Sequence, residues 1–169
     1  MTRRARLLCR NRHGSAAVEM ALTMPLLLAL MFGSAEIGNY FMNEHSLIKA
    51  VRDGARYAAR QSFANYTACS GTPGGTVESD TQNVVMNGYL STGTIITPNI
   101  QASDITVATS CMTTAGGQTM LGIYRGRPNG AQIVTVTAQV TYRPILSSLG
   151  FSGFGMQLNA ESQAAVAGI

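Results

Sequence analysis

Residues Ala16–Ile37 read AAVEMALTMPLLLALMFGSAEI. Written as a helix rising about 1.5 Å per residue, this stretch is roughly 33 Å long. A bilayer's hydrocarbon core is about 30 Å thick. Sixteen residues without a charge separate Glu19 from Glu36, so each carboxylate falls near a membrane boundary and not at mid-depth. Five arginines (Arg3, Arg4, Arg6, Arg10 and Arg12) lie immediately upstream with no acid among them. Such a cluster holds a chain's N-terminus on the cytoplasmic side. Lys49, Arg52, Arg56 and Arg60 follow the span, accompanied by Glu36, Glu44 and Asp53. The charge bias thus favours an N-in, C-out orientation without being one-sided.

The arginines also account for the pI of about 9.3. Downstream of them seven basic and eight acidic residues remain, a side-chain sum of about −1 with ordinary ionisation. A nucleic-acid binder needs its basic excess on a folded face, so nucleic acid is not an expected partner. Two plainer readings compete with a permanent anchor of special function. One is a secreted protein whose signal peptide is cut after Ala35, within Gly33-Ser34-Ala35; Thr2-Arg3-Arg4 adds a weak twin-arginine pattern. Glu19 interrupts that apolar region, and the span is long for a signal. The other is a simple membrane tether, which leaves the pattern Gly14–Glu19 unexplained.

The stretch Arg12-His13-Gly14-Ser15-Ala16-Ala17-Val18-Glu19-Met20-Ala21-Leu22, with Pro25-Leu26-Leu27-Leu28 and Phe32–Phe41 (FGSAEIGNYF) behind it, resembles the processing region of type IV prepilins. More closely it resembles the TadE-like family of tight-adherence, or Flp-type, pilus systems. The resemblance covers about residues 10–60. It implies a leader at 1–14, a transmembrane helix at 15–38 and an extracytoplasmic pilin-like domain at 39–169. It further implies a single-pass protein of the bacterial inner membrane with a periplasmic C-terminal domain, working as a minor pilin or pseudopilin in pilus assembly. Its implied partners are a prepilin peptidase, other pilins or pseudopilins, inner-membrane assembly proteins and the lipid bilayer. The alternative is a secreted or anchored binding module with no pilus role.

The same resemblance implies cleavage between Gly14 and Ser15 by a membrane aspartic peptidase. A glycine at that bond gives the backbone freedom to enter a tight site. Cutting there discards every leader arginine and keeps the apolar helix. Ser15 then carries the new amino group, about 6 Å along a helix from Glu19. The family pattern assigns Glu19 to subunit docking. An ionisable group in lipid costs about 2.5–3.5 kcal/mol at mid-helix, less near an interface, and a neighbouring subunit's Ser15 amine is the natural counter-charge. The bland alternative is a carboxylate snorkelling to the headgroups. Ala17, Ala21, Pro25, Ala29 and Gly33 recur at every fourth position and form a ridge that admits close helix packing. Pro25 removes one backbone hydrogen bond and is expected to kink the helix.

Beyond the span, Asn39–Phe63 continues as a helix, with Ile48, Val51, Ala55, Ala58 and Ala59 at helical spacing. Lys49, Arg52, Arg56 and Arg60 form a stripe on another face, best read as solvated, with lipid or subunit contact as the alternative. CSGTPGGT at Cys69–Thr76 is a loop without the lysine of a phosphate-binding loop. Val77–Tyr89 reads as a short helix with Val84, Val85 and Tyr89 on one side. Ser103–Cys111, Ala131–Tyr142 and Met156–Ala165 read as strands, the first two by β-branched alternation, with Ile133, Val134, Val136 and Val140 prominent. Turns fall at Gly116-Gly117 and Pro128-Asn129-Gly130. The class is α+β: a transmembrane helix extended outside the membrane, then a small antiparallel sheet. Pro144–Gly155 is apolar and glycine-rich, either a surface loop that meets a partner or a segment tucked into the core.

Cys69 and Cys111 have no zinc-like spacing. Outside the cytoplasm a disulfide between them is the natural state; two buried free thiols are the alternative. Catalysis finds no support. His45 is the one histidine beyond the leader, Glu78 and Asp80 are ordinary loop acids, and the chain has no dinucleotide, CxxC or HExxH motif. No enzyme activity, cofactor or metal is expected. Asn65-Tyr66-Thr67 matches a glycosylation sequon by chance.

Overall fold

The computed structural model describes residues 13–91, 93–97, 99–115, 118–150 and 155–168. The chain divides into two compact units, one up to Asn39 and one from Tyr40 onward. A single helix, α1 (His13–Ala59), runs through both. It continues without a break past Pro25, whose missing N–H leaves one carbonyl of the preceding turn without its usual donor.

In the first unit the side chains of Ala16–Asn39 are exposed or half-exposed. In the second unit α1 buries Leu47, Ala50, Val51, Ala55, Ala58 and Ala59. These positions recur every three or four residues and make one apolar stripe. Lys49, Arg52, Arg56 and Arg60 lie exposed on the other side. Arg56 pairs with Asp53 at 3.6 Å, both well solvated, a geometry that contributes little stability.

The helix ends at Ala59, short of the expected Phe63, because its last carbonyls find other donors. Tyr66 Oη donates to the Ala58 carbonyl at 2.5 Å, and the Ala167 N–H to the Ala59 carbonyl at 2.7 Å. Arg60 and Gln61 close tighter turns onto Tyr57 and Ala58. Ser62 then caps a 3-10 turn, Phe63–Asn65, through the Ala64 N–H.

Helix α2 (Val77–Asn87) buries Val77, Thr81 and Val85. It stops two residues before Tyr89 because Gly88 takes a left-handed conformation (φ 73°) and donates its N–H to the Val84 carbonyl. Only glycine adopts that cap at no steric cost. Tyr89, expected beside Val85, is instead 69% exposed, and Val84 is half-buried. The two helices approach closely at Gly54: a Cβ built there would overlap the Val85 side chain.

Among the described residues five strands follow: β1 (Ile105–Met112), β2 (Thr114–Ala115), β3 (Gln118–Thr119), β4 (Ala131–Thr141) and β5 (Gln157–Ala165). The main sheet is antiparallel in the order β1-β4-β5, and β2 pairs with β3 in a separate ribbon. The expected turn at Gly116-Gly117 lies outside the described residues, between β2 and β3. The turn before β4 is closed by Gly130 N–H to the Arg127 carbonyl, with Gly130 at φ 64° against the Met112 backbone. Ser103 belongs to a 3-10 turn, Ala102–Asp104, and not to β1.

Val134, Val136, Ala138 and Val140 alternate inward along β4, while Ile133 falls on the opposite face. Inward rows match across the register: Ile105, Ala138 and Ala160; then Val140 and Leu158. They share one core with the α1 stripe, Val77 and Val85 of α2, and Tyr66. The structure is therefore the α+β layout expected, with helices on one face of a three-stranded sheet. The other face carries Thr106, Thr135, Thr137, Gln139, Glu161 and Gln163, as an antiparallel sheet with one wet face should.

Two features close the outer edge of β1. Gln82 Nε2 donates to the Ile105 carbonyl, and both the N–H and Oγ1 of Thr109 donate to the Gly71 carbonyl. Cys69 and Cys111 are disulfide-bonded, with Cα atoms 5.0 Å apart, which ties the 69–76 loop to the end of the strand. The 144–155 segment begins with a 3-10 turn, Ile145–Leu149, in which Ile145 and Ser147 are exposed and Leu146 is half-buried; residues 151–154 lie outside those described.

Candidate functional site: the exposed half of the long helix

The chain's most unusual surface is apolar. Val18, Met20, Leu22, Leu26, Leu27 and Leu30 are each more than 60% exposed. A dense apolar surface of this kind marks a region that meets lipid or another protein. The segment belongs to a helix long and apolar enough to cross a membrane, close to the N-terminus and with none of its most apolar window buried. That is compatible with single-pass membrane anchoring.

Polar groups in this segment are handled as a hydrocarbon environment requires. Thr23 Oγ1 donates back to the carbonyls of Glu19 at 3.0 Å and Met20 at 3.4 Å. Ser34 Oγ donates to the Met31 carbonyl at 2.9 Å. Each hydroxyl thus satisfies itself within the helix, removing the penalty of an unpaired donor in lipid. Glu19 cannot do the same. Its side chain is exposed, and among the described residues it has no ion-pair partner.

Gly14 and Ser15 lie among the first described residues of α1. The leader arginines lie outside the described residues. Ala17, Ala21, Pro25 and Ala29 are exposed, Gly33 is half-exposed, and a Cβ on Gly33 would meet nothing within 4 Å. Four residues advance the helix by slightly more than one turn, so these five positions make a shallow ridge that drifts slowly around the axis. Nothing within this chain covers it among the described residues.

Other candidate positions have structural occupations. Asp80 accepts from Thr76 Oγ1 at 2.7 Å and Tyr57 Oη at 3.4 Å. Burial raises the Tyr57 phenol above its usual range, with the Asp80 charge and hydrogen bond adding to it. His45 is an exposed residue of α1. A shallow cleft of about 400 Å³ is lined by Ser103, Asp104, Thr106, Thr137 and Gln139. Its one carboxylate, on Asp104, already accepts the Gln101 N–H at 2.9 Å. Among the described residues no group of three or more acids, histidines or cysteines converges as metal ligands would.

Sequence reasoning overlooked how the far end of the second unit is locked. Arg127 lies over the Phe63 ring at 3.4 Å, Tyr124 meets Phe63 edge-on, and Tyr124 Oη donates to the Val166 carbonyl at 2.8 Å. Gln132 Nε2 donates to the Tyr66 carbonyl. These partners are far apart in sequence and carry no local pattern.

Residues 14–56 match the family model described as TadE-like protein, so the chain carries a TadE-like N-terminal segment. The matched region ends inside α1, and the sheet lies beyond it. No curated protein and no solved structure matches this chain.

Proposed function

We propose that this chain, a Tad pilus-associated protein by its TadE-like segment, is a minor pilin or pseudopilin: a structural subunit that docks with sibling subunits in the inner membrane. The observation that carries this reading is an α1 whose first half is apolar and bare, with a lone carboxylate one turn from the Gly14–Ser15 bond. A soluble core helix would be covered by its own domain. A plain tether would have no use for a carboxylate among exposed apolar side chains, since an unpaired charge there costs stability.

Maturation supplies the missing partner. Hydrolysis of the Gly14–Ser15 amide adds water across the C–N bond, giving a carboxylate on Gly14 and an amine on Ser15. At neutral pH that amine is largely protonated. The Ser15 ammonium of one subunit then faces the Glu19 carboxylate of the next. In a low-dielectric setting such a pair is far stronger than in water. It stabilises only when both charges are present, so uncleaved chains are excluded from assembly. The ridge of Ala17, Ala21, Pro25, Ala29 and Gly33 lets the neighbouring helix approach closely enough for that contact. The protein acts by docking and not by catalysis, on the cytoplasmic-leader, periplasmic-domain topology.

N-terminal sequencing of the protein extracted from membranes tests this directly. The expected first residue is Ser15, and Gly14→Leu is expected to accumulate as a larger, uncleaved membrane species. A mature chain beginning at Glu36 and free of membranes would mean a secreted module, and the pilus reading would fail.

A further inference from the structure

Resting on the reading of α1 as a membrane span, we infer that the turn Ile145–Leu149 and its stem are a second membrane contact, held against the outer bilayer interface. Tyr40, where the second unit begins, is four residues past Glu36 on one continuous helix, about 6 Å along its axis. Both stems of the 142–157 segment are fastened to this tyrosine. The Tyr142 ring meets the Tyr40 ring edge-on at 5.2 Å. Tyr40 Oη donates to the Gln157 carbonyl at 3.4 Å, and the Tyr142 N–H donates to the Met156 carbonyl at 2.9 Å. The turn therefore starts three residues after Tyr142, whose ring meets Tyr40.

Exposed apolar side chains lie close in sequence to both tyrosines, with Glu36 and Glu44 one helical turn either side of Tyr40. Phe41 and Met42 on the helix are 52% and 73% exposed, and Ile145 on the turn and Met156 on the other stem are 57% and 42% exposed. Phe41 and Met42 follow the apolar span on the same helix. Arg143, at the base of the turn, is exposed, and residues 143–156 contain no acid. Tyrosine rings beside apolar side chains with an arginine at the edge are the composition of a membrane–water boundary. The arginine fits anionic headgroups, while Ile145 and Met156 reach the acyl boundary.

The chain has no tryptophan, so one introduced residue reports its own surroundings. The test uses the full chain in phosphatidylcholine–phosphatidylglycerol vesicles, with and without bromine on the acyl chains near the headgroup. Ile145→Trp is compared with Leu27→Trp in the span and with Ile123→Trp. Ile123 lies beside Tyr124, at the end of the unit where α1 stops. Ile145→Trp and Leu27→Trp should lose most of their emission in brominated vesicles, and Ile123→Trp should keep it. Met156→Trp repeats the measurement from the other stem, should Ile145→Trp misfold. Unquenched emission from the turn alongside quenched Leu27→Trp overturns this inference and leaves the span intact. A blue-shifted but unquenched signal means that a protein neighbour, such as a second copy, covers the turn, and this too overturns it. Equal quenching of Ile123→Trp removes its specificity. If Leu27→Trp is also unquenched, the spanning reading falls with it.

Discussion

Replacing both Cys69 and Cys111 by serine should lower the melting temperature of the second unit by about 15 °C. The bond joins residues 42 apart in sequence. In the chain-entropy model a cross-link at that separation removes about 13 cal/mol/K from the unfolded ensemble, or about 4 kcal/mol at room temperature. The native state adds little to that figure. Cys69 is exposed and Cys111 half-buried, so serine leaves no cavity of consequence. Thr109 still binds the Gly71 carbonyl through two donors and keeps the loop in place. Unfolding entropy is about 2.1 cal/mol/K per residue near 60 °C, about 0.27 kcal/mol/K over Tyr40–Ile169. Dividing one by the other gives the expected shift. Thermal unfolding of the full chain in detergent, followed by circular dichroism, measures it, and the parent protein with reductant should behave like the double variant. A shift of only a degree or two would refute the reasoning: the loop would then be held by its hydrogen bonds in the unfolded ensemble as well, or the bond would not form.

Glu19→Gln should leave cleavage and membrane insertion unchanged and abolish co-purification with sibling subunits; normal pilus assembly by this variant would remove the proposed ion pair. Gly54→Ala sets a helix-propensity gain of up to about 1 kcal/mol against overlap with the Val85 side chain, an overpacking cost of about 1–3 kcal/mol. The net effect in chemical denaturation should be destabilising, and a more stable variant would show that the two helices separate readily. Tyr66 is buried and donates to the last turn of α1; burial, with a smaller contribution from Tyr57, pushes its phenol from 10.0 up to about 12. A folded value above the unfolded one means that this contribution is complete below pH 10 and is lost as pH rises toward 12. Tyr66→Phe should therefore flatten the stability profile in that alkaline window. It should also cost about 0.5–1.5 kcal/mol at neutral pH by removing one hydrogen bond, since the Ala58 carbonyl keeps the Gln61 N–H.

Most of the architecture was legible because it rests on periodicity. Alternation in Ala131–Tyr142 announced β4, and three- and four-residue spacing from Ile48 to Ala59 announced the buried face of α1. Boundaries were less legible. The spacing of Val77–Tyr89 does not mark the left-handed Gly88 that ends the helix at Asn87, so Tyr89 lies outside the helix and exposed. The end of α1 at Ala59 could not be read locally, because its last carbonyls are taken by Tyr66 and by Ala167, over a hundred residues away. Of the candidate site, Gly14, Ser15, Glu19 and the small-residue ridge came entirely from the chain's order along one helix. The structure added that this surface is bare within the described chain.

Local sequence determined the features that need only one helix: a long uncharged run, arginines before it, and a carboxylate one turn past a glycine. Helical geometry converts spacing directly into position, so no partner segment was needed to see them. Tertiary structure alone decided that the Tyr40–Tyr142 pair fastens the 142–157 stems beside the helix exit and that Gly71 blocks the edge of β1. It also decided that the C-terminal residues seal the end of α1. Those contacts arise because backbone donors and acceptors left over at element ends must be satisfied by whatever the packed core brings near, and no pattern along the chain records which segment that will be.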